Sequence, residues 1–146
     1  MKKFRKISAL IMALALICLF STFAYAYDLN AESNQVWCNT VQFHTAFEGD
    51  ITGAKAETII DTHGSSYFHG SVSISYTYCD ETMVRPTNYQ TGTVSQAFTR
   101  YSNSKEVEYN PSSGYVLIEA TGTTEMFQTV NGVTHYNSAP VSLDLY

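Results

Sequence analysis

From Val36 onward the dominant period of this chain is two. In "YFHGSVSISYTYC", residues 67–79, Phe68, Val72, Ile74, Tyr76 and Tyr78 occupy even positions, while Tyr67, His69, Ser71, Ser73, Ser75 and Thr77 occupy odd ones. Successive side chains of a strand point to opposite sides, whereas a helix brings its apolar residues round about every 3.6 positions. No stretch after Val36 shows the helical spacing, and the abundance of Thr, Ser, Tyr and Val suits pleated, half-buried surfaces. "VWCNTVQFHTAF", "AETIID", "YFHGSVSISYTYC", "GTVSQAFTRY", "KEVEY", "YVLIEATG", "TEMFQTV", "VTHYNS" and "VSLDL" read as strands. Turns are marked by Gly64-Ser65-Ser66, Arg85-Pro86-Thr87-Asn88, Asn110-Pro111-Ser112-Ser113-Gly114 and Asn131-Gly132. The last sits in "VNGV", where a two-residue type I′ hairpin turn needs positive φ at both central residues. The pattern predicts an all-β, single-domain antiparallel β-sandwich of about nine short strands, with a small closed barrel as the alternative.

The N-terminus has a different character. Lys2, Lys3, Arg5 and Lys6 precede an apolar run from Ile7 to Phe20, and Ala24-Tyr25-Ala26 forms a small-x-small site before Tyr27. This is the layout of a secretory signal peptide, so residues 1–26 are expected to be cleaved and 27–146 to form the all-β domain. The apolar run is shorter than the ~20 residues a spanning helix needs. Leu16 and Ile17 before Cys18 lack the small residue of a lipoprotein site. The expected product is extracellular and does not span a membrane.

Cleavage removes four of the eight basic residues and none of the thirteen acidic ones, leaving four against thirteen, a net charge of about −9. Lys55, Arg85, Arg100 and Lys105 are scattered and form no basic stripe, which argues against nucleic acid as a partner. The expected partner is an extracellular protein or a glycan.

Cys38 and Cys79 are the two cysteines after the leader. An even number in an oxidising compartment predicts a Cys38–Cys79 disulfide. Both have the parity opposite to the apolar residues of their segments. Immunoglobulin domains pack their inter-sheet disulfide with a tryptophan further along the chain. Here Trp37 immediately precedes Cys38, so any resemblance to that family is confined to architecture.

A three-residue hairpin loop at Gly64-Ser65-Ser66 would set His63 opposite Tyr67 and Asp61 opposite His69, all on one polar face. Asp61, His63 and His69 are therefore the best metal candidates in the chain, a carboxylate beside two imidazoles. No ligand-spacing motif accompanies them, and an ordinary solvated cross-strand pair explains the same residues. No cofactor is implied. Tyr67, Ser71, Ser73, Ser75 and Thr77 make a hydroxyl-rich row that can serve as a ligand face.

No G-x-S-x-G elbow, glycine-rich phosphate loop or other catalytic motif occurs, so the chain is expected not to be an enzyme. Aromatic residues are the better lead. Tyr89, Tyr101, Tyr109, Tyr115, Tyr136 and Tyr146 lie at predicted turns and strand ends, where exposed rings serve carbohydrate or protein contacts. The favoured reading is a secreted, disulfide-containing, non-catalytic module for extracellular interaction or structure, with a carbohydrate-binding domain as the alternative. "SYFHGS", residues 66–71, is similar to a stretch of the lactococcin-like bacteriocins, which implies a third reading, a secreted bacteriocin or toxin-like protein.

Overall fold

A computed structural model describes residues 29–64, 67–82 and 89–146. The expected leader, residues 1–26, and the turn at Arg85-Pro86-Thr87-Asn88 lie outside the described residues, as do Ser65 and Ser66. Nine strands are described: β1 (Leu29–Glu32), β2 (Val36–Cys38), β3 (Val41–Asp50), β4 (Gly53–His63), β5 (Phe68–Asp80), β6 (Gln90–Thr99), β7 (Glu106–Tyr109), β8 (Tyr115–Val130) and β9 (Val133–Asp144). They form two antiparallel sheets facing each other, a β-sandwich and not a closed barrel. In the first sheet β1 and β2 both pair with β3, followed by β4 and β7; the second runs β6-β5-β8-β9.

The strand boundaries differ from the alternation pattern for local reasons. Val36 to Phe47 is two strands, because Asn39, at φ 53°, turns the chain so that Cys38 lies opposite Val41. That two-residue turn reverses the parity: Cys38 joins the core and Trp37 points to solvent, 54% exposed. Gly122 sits inside β8 and does not end it. A Cβ there would lie 2.8 Å from the Phe47 ring, so the absence of a side chain is what lets Phe47 cross from the other sheet. Pro140 is accommodated in β9 because β9 is an edge strand, where the missing N–H faces away from the ladder. The Asn131-Gly132 turn has φ of 51° and 78°, as type I′ geometry requires.

The largest correction concerns Gly64-Ser65-Ser66. β4 pairs with β3 and β7, β5 with β6 and β8, so this segment carries the chain from one sheet to the other and closes no hairpin. The expected alternation nevertheless holds through most of β5: Phe68, Val72 and Ile74 are buried, and Tyr76 and Tyr78, with Ile60 of β4, pack against the core. It breaks after the register shift between Thr77 and Tyr78, where Cys79, of the polar parity, is buried.

Between the sheets lie Phe43, Phe47, Phe68, Ile74, Leu117 and Met126, all almost fully buried, with small Ala54, Ala56, Ala120 and Ala139. Three buried threonines stitch the centre. Thr58 Oγ1 and Thr45 Oγ1 each lie 2.9 Å from Thr124 Oγ1, and Thr45 Oγ1 also reaches the Ala139 carbonyl and accepts from the Thr124 N–H. A carbonyl only accepts, so the single Thr45 proton goes to Ala139. The Thr124 hydroxyl then donates to Thr45, and Thr58 to Thr124, giving a directed chain that crosses between the sheets three times. At one end buried Gln128 accepts from the Thr40 N–H and donates to the Thr40 hydroxyl. At the other, the Leu117 N–H donates to the Ile51 carbonyl.

The open seam by β6 and β7 is filled by tyrosines. Tyr76 stacks on Tyr109 with ring centroids 3.6 Å apart and planes 12° from parallel. Gly92 leaves room for Tyr76, whose ring a Cβ would meet at under 3 Å. Burial, then the bond to Tyr76, pushes the Tyr109 hydroxyl up to about 12.

Two measurements check this core. Thr45→Val removes the hydroxyl that serves both Thr124 and the Ala139 carbonyl and is expected to cost about 1–2 kcal/mol, whereas Thr58→Val, at the head of the chain, costs about 1 kcal/mol or less. Urea unfolding gives both, and the reverse order contradicts the assigned direction. A hydroxyl whose folded pKa is raised gives stability that is complete below its unfolded value of about 10 and is lost as pH rises toward 12. Tm plotted against pH is therefore expected to fall across that window, and less steeply in Tyr109→Phe.

Candidate functional site

The outer face of the four-stranded sheet is an ordered field of hydroxyls. Directly opposed residues share a face, so the pairings of β5 with β6 and β8, and of β8 with β9, define rows across four strands. From one end these are Thr99-His69-Phe127-Tyr136, Ala97-Ser71-Glu125-Ser138, Ser95-Ser73-Thr123-Pro140, Thr93-Ser75-Thr121-Ser142 and Thr91-Thr77-Glu119-Asp144. Strands ~4.8 Å apart and residues rising ~3.3 Å each make this field roughly 14 by 26 Å. Its only charges among these positions are Glu119, Glu125 and Asp144. Neighbouring side chains bond within rows: Ser75 to Thr93 at 3.3 Å, Thr121 to Ser142 at 2.7 Å and Ser71 to Glu125 at 3.4 Å. A shallow depression of about 310 Å³ opens over Ser75, Thr77, Thr91, Thr93, Glu119 and Thr121.

The first row is aromatic. Tyr67 stacks on His69 at 6.2 Å, His69 on Phe127 at 5.5 Å, and Phe127 meets Tyr136 at 4.9 Å. Rings stacked in this way turn their faces to each other, so open faces remain at the two ends, on Tyr67 and Tyr136, each about half exposed. Tyr136 is held by its hydroxyl, which donates to Glu125 Oε1 at 3.0 Å.

The residues expected to form a ligand face, Tyr67, Ser71, Ser73, Ser75 and Thr77, thus share one outer surface. The expected metal set does not assemble. The register of β3 and β4 shifts between Gln42 and Phe43, leaving Asp61 as a bulge residue without an opposed partner. Asp61 keeps the outward side of Glu57 and Ile59, whereas the bulge sets His63 opposite buried Val41, exposed at the strand's end with its ring 6.3 Å from Phe68. His69 belongs to the outer face of the other sheet. Asp61, His63 and His69 therefore lie in three different places, and no metal-binding cluster occurs among the described residues.

Asp61 instead meets His44, a residue the alternation gave no reason to single out: Asp61 Oδ2 lies 2.9 Å from His44 Nδ1. Glu32 approaches the other ring nitrogen at 3.9 Å. This buried imidazole braces β1, β3 and β4 on the outer face of the first sheet. That face is acidic, with Glu32, Glu48, Glu57, Glu106 and Glu108 around Lys55. Lys55 bonds Glu106 at 3.1 Å, which holds its ammonium above the usual lysine range. A depression of about 410 Å³ lies there over Glu32, Glu48, Lys55 and Glu57. It is larger than the one on the hydroxyl face, and three glutamates, Glu32, Glu48 and Glu57, dominate the charge of its walls, which also contain Lys55, Asn30 and apolar side chains.

No protein-family model, curated protein or solved structure matches this chain.

The expected disulfide is corrected as well. Cys38 and Cys79 are both free and buried. Cys38 Sγ lies 3.4 Å from the carbonyls of Met126 and His135, whereas Cys79 is opposite Val116. Met126 and Val116 are ten residues apart along β8, roughly 33 Å at the rise of a strand. A disulfide needs Cα atoms within ~7 Å, so the fold forbids the bond. Burial raises the Cys38 thiol pKa and keeps it protonated and inert. Of the six tyrosines expected at exposed positions, Tyr89, Tyr101, Tyr115, Tyr136 and Tyr146 are exposed, while Tyr109 packs against the core.

Both thiols are expected to resist alkylation in the folded chain and to react fully after denaturation, and added reductant is expected to leave Tm unchanged. A reductant-dependent fall in Tm would contradict the placement of the two cysteines.

Proposed function

We propose that the chain is a secreted, non-catalytic β-sandwich module that binds a neutral glycan through the outer face of its four-stranded sheet. The observation that carries this reading is the sorting of charge. Both sheets expose one face, yet five glutamates gather on the first while the second keeps only Ser, Thr and Ala in its four rows from Ser71 to Thr77 at β5 and β6. A face needed only for hydration is served equally well by either chemistry. Hydroxyls both donate and accept, as a sugar's hydroxyls do, so an array of them matches a polyhydroxylated chain without desolvating a charge. Glu119 and Asp144 add acceptors in the last row and Glu125 beside Ser71 and Tyr136, and the half-exposed rings of Tyr67 and Tyr136 offer apolar surface to the C–H face of a pyranose. Export is supported by the leader-like N-terminus.

Affinity electrophoresis through gels containing neutral cell-wall and plant polysaccharides tests the proposal. At least one polysaccharide is expected to retard the 27–146 chain, and the double variant Ser75→Lys, Ser95→Lys, at two exposed positions of the field, is expected to lose the retardation. Its Tm should change little, since exposed substitutions alter stability by about 0.5 kcal/mol or less. Absence of retardation by every polysaccharide, or retardation unaffected by the variant, would overturn the reading.

A further inference from the structure

The seam between the sheets holds a run of four tyrosine rings that the glycan face does not use. Tyr115, at the exposed end, meets Tyr78 edge-on at 5.5 Å; Tyr78 lies 6.0 Å from Tyr76; and Tyr76 stacks on Tyr109 at 3.6 Å. The last contact differs from the others. Its planes are 12° from parallel, against 47° and 76° for the other two, so of the three contacts this one alone sets the rings face to face. The partners also come from different sheets, Tyr76 from β5 and Tyr109 from β7.

We propose that Tyr76 and Tyr109 are an oxidative modification site, at which a peroxidase-type one-electron oxidant using hydrogen peroxide joins the two rings as a dityrosine and so bonds the sheets covalently. The chemistry balances within the pair. Each phenol gives up a proton and an electron to become a phenoxyl radical, and the radicals couple through the carbons flanking their oxygens. Each coupled carbon then passes its hydrogen to its own ring oxygen, which restores both phenols. The two protons and two electrons reduce one hydrogen peroxide to two waters. Face-to-face overlap at van der Waals distance is the approach this coupling requires, and the core holds the rings in it before any radical forms. Tyr115 places the exposed end of the ring series where an oxidant can reach it. Such a bond supplies the inter-sheet covalent link that Cys38 and Cys79 are too far apart to make.

The test treats dilute, folded chain with peroxidase and hydrogen peroxide. The expected product is a monomer lighter by two hydrogens, with the blue fluorescence of a biphenol and a cross-linked peptide containing both Tyr76 and Tyr109. Its Tm is expected to rise by several degrees, as for other links that constrain the unfolded chain. Tyr109→Phe keeps the ring and removes the phenol, and it is expected to abolish the monomeric product; Tyr76→Phe gives the same test from the other sheet. A Tyr101→Phe, Tyr146→Phe double variant, which removes the two most exposed tyrosines, is expected to keep it. Cross-linking found only as dimers, a monomeric link between other residues, or a product that survives both single substitutions would overturn the proposal.

Discussion

Two sheets approach only as closely as the side chains between them allow, and here the limiting contact is the Phe47 ring against the backbone of Gly122. Any side chain at Gly122 would hold the sheets apart. With the gap closed, Thr58, Thr124 and Thr45 come within hydrogen-bonding distance across it, and small Ala54, Ala56, Ala120 and Ala139 fill the remaining space around the aromatic rings. The polar chain adds what apolar packing lacks. Sliding one sheet against the other leaves buried hydroxyls without partners, so the network selects one alignment of the sheets.

That alignment decides the surfaces. Once β4 and β5 lie in different sheets, the residues on either side of Gly64 are separated: Asp61 goes to an acidic outer face and the Ser71-to-Thr77 row to a hydroxylated one. The first face carries one counter-charge, Lys55, paired with Glu106. The second confines its three carboxylates, Glu119, Glu125 and Asp144, to β8 and β9, and its regular rows follow directly from unbroken antiparallel register between His69 and Thr77 across β6, β5, β8 and β9. A hydroxyl-rich, extended surface suits a neutral, hydrogen-bonding, extended ligand.

Alternation along the chain reveals which residues share a face only while the register stays unbroken. From Phe68 to Thr77 it did, and the apolar and hydroxyl sets of those residues were legible from spacing alone. It failed at three kinds of feature that leave no mark on a period-two count. The turn at Asn39 and Thr40 exchanged Trp37 and Cys38 between surface and core. The bulge at Asp61 separated it from His63 within a single strand. The corner at Gly64 has the composition of a hairpin loop, because glycine and serine serve either kind of reversal. The disulfide inference failed for a related reason: parity of count carries no distance, and the distance follows from sheet assignment. His44 escaped notice because its partner lies across the β3–β4 hairpin, whose tight turn is closed by the Asp50 side chain accepting from the Thr52 and Gly53 N–H groups. Counting outward from that turn would have brought His44 and Asp61 to the same side.

The account rests on one surface being the one that meets a ligand. The most direct test is amide chemical-shift mapping of the isotopically labelled 27–146 chain, titrated with soluble oligosaccharides of neutral cell-wall and plant glycans. The expected result is a contiguous set of perturbations over Ser71, Ser73, Ser75, Thr93 and Thr121, extending to Tyr136, with the amides around His44 and Lys55 unmoved. Perturbations centred on the acidic face, or none at saturating oligosaccharide, would contradict it.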